Sequence, residues 1–412
     1  MKKLLFILLS VSIVFAACSK EESDEKIVTY IESIEVVSPE SSQEVSVDNF
    51  TNRIVVSVPV GSDLTQIVLK VNTGAGVSMV TPSTQEATYD LSSEKALVVL
   101  ANKKQVTFKI KAGFYYPEIT EAIKGWELCT EYAPLPDYLK VYRIPSPLFN
   151  KNIVGYIAVA DMSRGARFAV VGEKTGLNTP SGYFAANGNP AVIMNAGYFY
   201  STSALSLICR NSQILCSNIS SMTRSDGVSN ASFYPTRSVF GMKTDGTFTA
   251  DWIYTAEGTT YAYPAPSPNK AGSAPQAQPS ATFPAGAWVW SAQTAVGAGP
   301  MLLKNGEIKN TWEAELCDAA SGIGPTANNP RSAIGITRYN HLVFFVCEGR
   351  NMTTEVPGLT LEEVAQILKD LGCVDAINLD GGGSSCMLIN GQETIKPSDK
   401  TQRSVSSCVV MK

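Results

Sequence analysis

The stretch Asn378-Leu379-Asp380-Gly381-Gly382-Gly383-Ser384-Ser385 decides how the rest of the chain is read. A largely apolar run, Val374 to Leu379, leads into it, and a second, Cys386 to Ile389, leads away. That is the pattern of a buried strand, a loop and another buried strand. Between the strands stand a carboxylate, a run of glycines and two hydroxyls. Glycine permits positive φ and lets a ligand approach main-chain N–H groups that no side chain crowds. Taken alone, the stretch fits a tight turn as well as it fits a binding loop.

Its surroundings make the loop rigid. Thr360 to Leu371 reads as the one clear helix. Thr360 with Glu363 forms a capping box, and Leu361, Val364, Ala365, Leu368 and Leu371 form the apolar face. Gly372 is placed to end it in the left-handed conformation. Downstream, Asn390-Gly391 is a two-residue hairpin signal. Asp380 therefore stands at the end of a strand braced on both sides.

The chain has 412 residues, enough for two domains, and a formal net charge of -4, which points to no nucleic-acid partner. His341 is the single histidine, so His-cluster zinc sites are excluded. The N-terminus reads as a processing signal: Lys2 and Lys3, then an apolar segment from Leu4 to Phe15 too short to span a bilayer as a mature helix. Ala16-Ala17-Cys18 resembles the end of a bacterial lipoprotein signal, with Phe15 where leucine is usual. The expectation is a signal peptide over 1–18, lipidation at Cys18, a polar tether over 19–26, and a membrane partner reached through that anchor at the outer membrane. Eight of the nine cysteines follow Cys18. Disulfides are permitted outside the cytoplasm, and Cys209 with Cys216 could close a short loop. Cys347, Cys373, Cys386 and Cys408 sit in apolar contexts that suit buried thiols equally well.

Residues 27–112 carry short β-branched runs at Ile34–Val37, Arg53–Val58, Ile67–Val71, Ala96–Leu100 and Val106–Ile110, spaced as in a sandwich. The region is similar to the Ig-like modules that precede catalytic domains in surface lipoproteins of gut-type bacteria. Residues 113–138 read as an aromatic- and proline-rich linker. From 139 to 412 strands dominate, beginning with Leu139–Ile144, and hairpins are expected at Asp245-Gly246 and Asn305-Gly306. The segment Tyr261 to Gly286 reads as a long surface loop rather than a lid. The fold class expected is α+β: a mixed, sheet-rich second domain with few helices after a small all-β module.

Four further segments share the character of the opening stretch, a polar group or bare backbone beside Gly or Pro. They are Asn195-Ala196-Gly197-Tyr198-Phe199, Gly297-Ala298-Gly299-Pro300, Asn329 to Gly335 and Glu348-Gly349-Arg350. In this order and with Asp380 to Ser385, the set resembles the phosphodiester glycosidase family over roughly residues 139–412. Ala196 and Ala298 replace family glycines, Glu348 stands where Asp is common, and Cys386 where Thr is frequent.

That resemblance implies cleavage of a sugar from a phosphodiester in a glycan, the glycan being the partner. A phosphodiester suits arginine, whose planar fork makes charge-assisted bonds to phosphate oxygens. Arg331 and Arg350 are the candidates, with Arg403 a weaker third. Gly381, Gly382 and Gly383, with the Ser384 and Ser385 hydroxyls, would cradle the remaining oxygens. Asp380 and Glu348 are the expected carboxylate pair, and Asn195 would bond the sugar or orient a carboxylate. No cofactor is required, though a structural Ca²⁺ or Mg²⁺ stays open. Two other readings also stay open: a metal-dependent phosphodiesterase using Asp380, Glu348 and Asn378, and a glycan-binding lipoprotein without turnover.

Overall fold

The computed structural model describes residues 29–39, 45–59, 62–115, 123–309 and 311–412, and the leader with Cys18 lies outside them. The chain divides into two compact units, Met1–Tyr115 and Tyr116–Lys412. In the first, a three-stranded sheet is built from Ile31–Ser38, Ile67–Thr73 and Glu86–Tyr89, and a five-stranded sheet includes Arg53–Pro59, Lys95–Ala101 and Lys104–Tyr115. Alternation puts Ile67, Leu69 and Val71 of one sheet and Leu97, Val99, Phe108 and Ile110 of the other into a single buried cluster. Arg53–Pro59 and Lys104–Tyr115 pair in parallel.

The second unit is built on three larger sheets. The eight-stranded sheet has Cys373–Asn378 between Met301–Lys304 and Arg331–Thr337, followed by His341–Cys347 and Gly155–Asp161. The five-stranded sheet carries Val192–Asn195 between Ser407–Met411 and Met387–Ile389, and the seven-stranded sheet carries Arg237–Met242 beside Thr294–Gly297. The expected mixed sheet is corrected here: every described pairing in these three sheets is antiparallel. Hairpins and meanders need no helical crossover, which is why so few helices suffice.

Cys373–Asn378 is buried on both faces. Ile377 belongs to the cluster shared by the three sheets, and Cys373 and Ala376 to the cluster under the long helix. That helix, Leu361–Asp370, has the expected cap: Thr360 accepts from the Glu363 N–H, and the Glu363 carboxylate accepts from the Thr360 N–H at 2.9 Å. Leu361, Val364, Ala365 and Leu368 pack beside Leu302 and Leu303. A second, short helix, Pro180–Ala186, is capped by Thr179 with proline in its first turn, a start signal that the sequence itself carries. Among the described residues no helix is long and apolar enough to cross a membrane.

The hairpin signals differ in outcome. Asn305-Gly306 and Asn390-Gly391 are two-residue turns with positive φ at both positions. Asp245-Gly246 sits in a five-residue connection, because Met242 pairs with Phe248 and the Asp245 carboxylate accepts from the N–H and hydroxyl of Thr247. The segment after Tyr263 is pinned rather than lid-like: Ser267 N–H donates to Thr236 Oγ1 and Gly272 N–H to the Ser225 carbonyl. Cys209 and Cys216 do not bridge. They lie in different core clusters, and the eight described cysteines are buried free thiols.

Candidate active site

The site forms where the ends of several strands meet. Asn378 N–H donates to the Pro300 carbonyl at 3.0 Å, Gly299 N–H to the Asn378 carbonyl at 2.9 Å, and Leu379 N–H to the Ser332 carbonyl at 2.9 Å. Asp380 N–H donates to the Ala196 carbonyl at 2.8 Å, and Gly382 N–H to the Pro330 carbonyl at 2.9 Å. Main-chain bonds thus knit four of the five sequence segments together. A cavity of about 400 Å³ opens at this junction. Each of the five contributes to its wall: Tyr198, Ala298, Asn329 with Arg331, Arg350, and Asp380 with Gly381 to Gly383.

Asp380 is half-buried, and burial pushes its carboxyl pKa up to about 6, against the opposing pull of the Ser384 hydroxyl and the Arg403 charge. It is the only carboxylate among the lining residues. The loop after it turns tightly. Gly382 has a φ of +60°, and a Cβ there would meet the Arg350 guanidinium. A Cβ on Gly383 would displace Arg403 and Asp399. The glycines therefore let two arginines lie directly against the main chain. Arg350 and Arg403 are exposed; Arg350 donates to Ser398 Oγ at 3.3 Å, and Arg403 pairs with Asp399 and reaches Ser384 Oγ at 3.4 Å.

Several expected roles change. Arg331 lines the cavity but is buried, and its guanidinium is engaged by four carbonyls: Leu359 at 2.9 Å, Ile323 at 2.9 Å, Gly324 at 2.7 Å and Ala327 at 2.7 Å. It braces the wall and has little left to hold phosphate. Glu348 does not line the cavity. Its Oε1 accepts from the Lys396 N–H at 2.9 Å, anchoring the loop that carries Ser398, Asp399 and Arg403, so the Asp380–Glu348 pair is not formed. Asn195 is buried behind Asp380: its Nδ2 donates to the Asp380 carbonyl at 2.6 Å, and its Oδ1 accepts from Ser332 Oγ and the Cys386 N–H. It positions the backbone of Asp380 and is not among the residues that line the cavity. Of the cradle donors, the Gly382 N–H is taken by the Pro330 carbonyl, the N–H groups of Ser384 and Ser385 close the turn itself, and the Ser385 hydroxyl is buried without a partner.

Other lining residues were not anticipated. Tyr198 donates to the Gly299 carbonyl at 2.5 Å and accepts from Asn378 Nδ2 at 2.9 Å. Its pKa is held well above the ordinary value by burial, then by Cys317 and Asp380, with Arg237 and Arg331 opposing. Arg237, Asn218, Met222 and Ile219 line the wall contributed by the seven-stranded sheet and its neighbours. No motif marks them, and only the three-dimensional junction brings them in. Among the described residues no three His, Cys, Asp or Glu side chains gather as a metal site would require.

An antiparallel, sheet-rich unit with one half-buried carboxylate in its cavity and arginines against a glycine turn defines a candidate hydrolase for anionic substrates. The family model for phosphodiester glycosidase matches residues 188–412, more than half of the chain, and the chain belongs to that family. It is similar to N-acetylglucosamine-1-phosphodiester alpha-N-acetylglucosaminidase of Mus musculus, 36% identical over 113 residues, 26% of this chain and 21% of that protein. The Homo sapiens protein of the same name is 37% identical over 113 residues, 26% of this chain and 21% of that one. The aligned part thus spans about a fifth of the curated relatives' length, as the 21% figures give. The catalytic domain of the zebrafish protein of that name, auto-inhibited by its pro-peptide, is 20% identical with a TM-score of 0.46, covering 69% of this chain and 87% of that one.

Proposed function

We propose that this chain hydrolyses glycosyl-1-phosphodiesters, releasing the sugar from a phosphomonoester. The observation that carries the reading is Asp380. It is a lone cavity carboxylate with its pKa raised to about 6, beside Arg350 and Arg403, on a wall to which every family motif contributes. A base poised near neutrality suits proton removal from water. Asp380 takes a proton from water as the water oxygen bonds to the anomeric carbon. The bond from that carbon to the phosphate oxygen breaks, and the phosphomonoester leaves with the electron pair. A phosphate leaving group needs little protonation, so a second carboxylate is dispensable. Arg350 and Arg403 hold the phosphate charge before and after the bond breaks. The names of the curated relatives support a sugar-1-phosphodiester as substrate, N-acetylglucosamine among the sugars to try first.

Two further readings complete the proposal. Residues 27–112 act as an Ig-like spacer, supported by two sheets sharing one core. The chain is a bacterial lipoprotein anchored through Cys18 at the outer membrane, supported by the apolar leader ending at Ala16-Ala17-Cys18. The enzyme reading is tested by incubating the chain and its Asp380→Asn variant with N-acetylglucosamine-1-phospho-linked sugars. Release of free sugar by the wild type alone is the expected result. Equal release by the variant removes Asp380 from the chemistry, and free sugar 1-phosphate as product moves the cut to the P–O bond.

A further inference from the structure

Arg237 opens the strand Arg237–Met242 and is only 5% exposed, yet it lines the cavity. A buried guanidinium is ordinarily paired with a carboxylate or saturated by carbonyls. Arg331 is saturated in that way; Arg237 is not. Its Nη1 points to Cys317 Sγ at 3.0 Å, its Nη2 to Met222 Sδ at 2.9 Å and the Leu316 carbonyl at 3.3 Å, and its Nε has no partner. Thioether and thiol sulfurs are weak acceptors. Cys317 gives no counter-charge, because burial pushes its thiol pKa up to about 12. The nearby Glu315 carboxylate is bonded elsewhere: Ser238 N–H and Oγ, Trp252 Nε1, Met301 N–H and Thr311 Oγ1 all donate to it. Among the described residues no carboxylate stands within ion-pair distance of Arg237.

Two more lining residues are incomplete in the same sense. Asn218 accepts from the Leu207 N–H through Oδ1, while its buried Nδ2 has no partner. Asn378 donates through Nδ2 to three oxygens, while its buried Oδ1 has none. Arg237 and Asn218 thus place a cation and an amide in the wall of the same cavity that holds Asp380, with Arg237 Nε and Asn218 Nδ2 buried and unpartnered there. Arg237, Asn218 and Asp380 all line this one cavity of about 400 Å³, a space that a single sugar phosphate can occupy. The phosphodiester is met by the exposed Arg350 and Arg403, so the buried cation calls for a second anionic group on the part of the substrate inside.

Resting on the glycosidase reading, we propose that Arg237 and Asn218 form a subsite for a carboxylate on the glycosyl unit, so that the preferred substrate is an acidic sugar linked through its 1-phosphate. The end of the guanidinium, Nη1 with Nη2, is held only by two sulfurs and one long carbonyl contact, and its fork matches the two oxygens of a carboxylate.

The test compares two probes, the methyl phosphodiesters of glucuronic acid 1-phosphate and of glucose 1-phosphate, on wild type, Arg237→Met and Arg237→Lys. Wild type is expected to show a KM about tenfold or more lower for the acidic probe, the effect of one charge-assisted contact. Arg237→Met, which keeps an apolar side chain among Met222 and Cys317, removes that preference, and Arg237→Lys keeps part of it. Equal KM for both probes with turnover intact overturns the carboxylate subsite and leaves the glycosidase reading standing. A Met variant that loses both probes equally, with Arg237→Lys no better, also overturns it. If neither probe is turned over, calorimetric titration with glucuronic acid 1-phosphate and glucose 1-phosphate decides. Tighter binding of the former that Arg237→Met abolishes supports the subsite while removing the reaction, and absence of any difference overturns both.

Discussion

The wall behind the cavity and the lining that faces into it use the same residue types in opposite ways. In the bracing set the Arg331 guanidinium, although its residue borders the cavity, meets four carbonyls, the Glu315 carboxylate receives five donors, and both ends of the Asn195 amide are engaged. Facing in, bonding is incomplete: Arg237 rests on sulfur, and Asn218 and Asn378 each keep a buried polar atom without a partner. Buried polar groups are normally paired, since each one left unpaired costs about 1–3 kcal/mol. For the two arginines the contrast separates a group that holds the structure from one set for a ligand, whereas Ser385 Oγ and Glu348 Oε2 are unpartnered outside the lining, and substitutions can break or sharpen it.

The largest effect expected is on stability, from Arg331→Met. Removing the guanidinium strands four carbonyls around a buried space, a loss of about 5 kcal/mol or more. Chemical denaturation checks it. A variant of near wild-type stability with raised KM would instead return Arg331 to the ligand-facing set. Next comes Asp380→Asn, expected to lower kcat by about 10³-fold while the fold persists. In the wild type, kcat/KM should rise with pH through about 6, because the base must be ionised.

Stability moves the other way. The Asp380 pKa is raised on folding, so its stabilising contribution is present below the ordinary value of 3.8 and lost as pH rises through about 6. Asp380→Asn should therefore stabilise the protein at pH 7 by about 1–2 kcal/mol, less than a fully sealed carboxylate would give because the cavity admits water. A melting temperature that rises with the variant at pH 7 and converges with wild type at pH 4 is the signature. Arg350→Gln is smaller again: about tenfold in KM, screened by salt since the side chain is exposed.

The same contrast explains what was legible in the sequence. The capping box of Thr360 and Glu363, the Asn305-Gly306 and Asn390-Gly391 turns and the glycine run after Asp380 are local devices, decided by residues a few positions apart. Each of the five motif segments reached the cavity wall for the same reason, being a strand end with its own turn chemistry. What stayed hidden depended on distant partners. Nothing near Arg331 says that carbonyls from Ile323 to Leu359 close around it, and nothing near Arg237 announces Cys317, 80 residues away. Arginine looks the same in sequence whether saturated or not. The Asp245-Gly246 connection failed as a two-residue turn because the Asp245 side chain bonds Thr247, a competition the dipeptide alone does not reveal.

Glu348 is the sharpest case, since sequence pairs it with Asp380 while the structure seats it against the Lys396 N–H. Glu348→Gln keeps an acceptor at Oε1 and alters only the Oε2 position, which is buried without a partner. If Glu348 only anchors the loop bearing Ser398, Asp399 and Arg403, the change should cost about 1 kcal/mol or less and leave the pH–rate profile in place. A slight rise in KM is expected through Arg403, with kcat held. If kcat instead falls as far as it does in Asp380→Asn, and the profile loses a limb, the loop must move on substrate binding to bring a second carboxylate to the anomeric carbon. Glu348 would then pass from the wall behind the cavity to its lining. Kinetics of this one variant, measured from pH 4 to 8, therefore decide whether incomplete bonding marks the ligand-facing set or whether a completed Oε1 bond can be given up in the reaction.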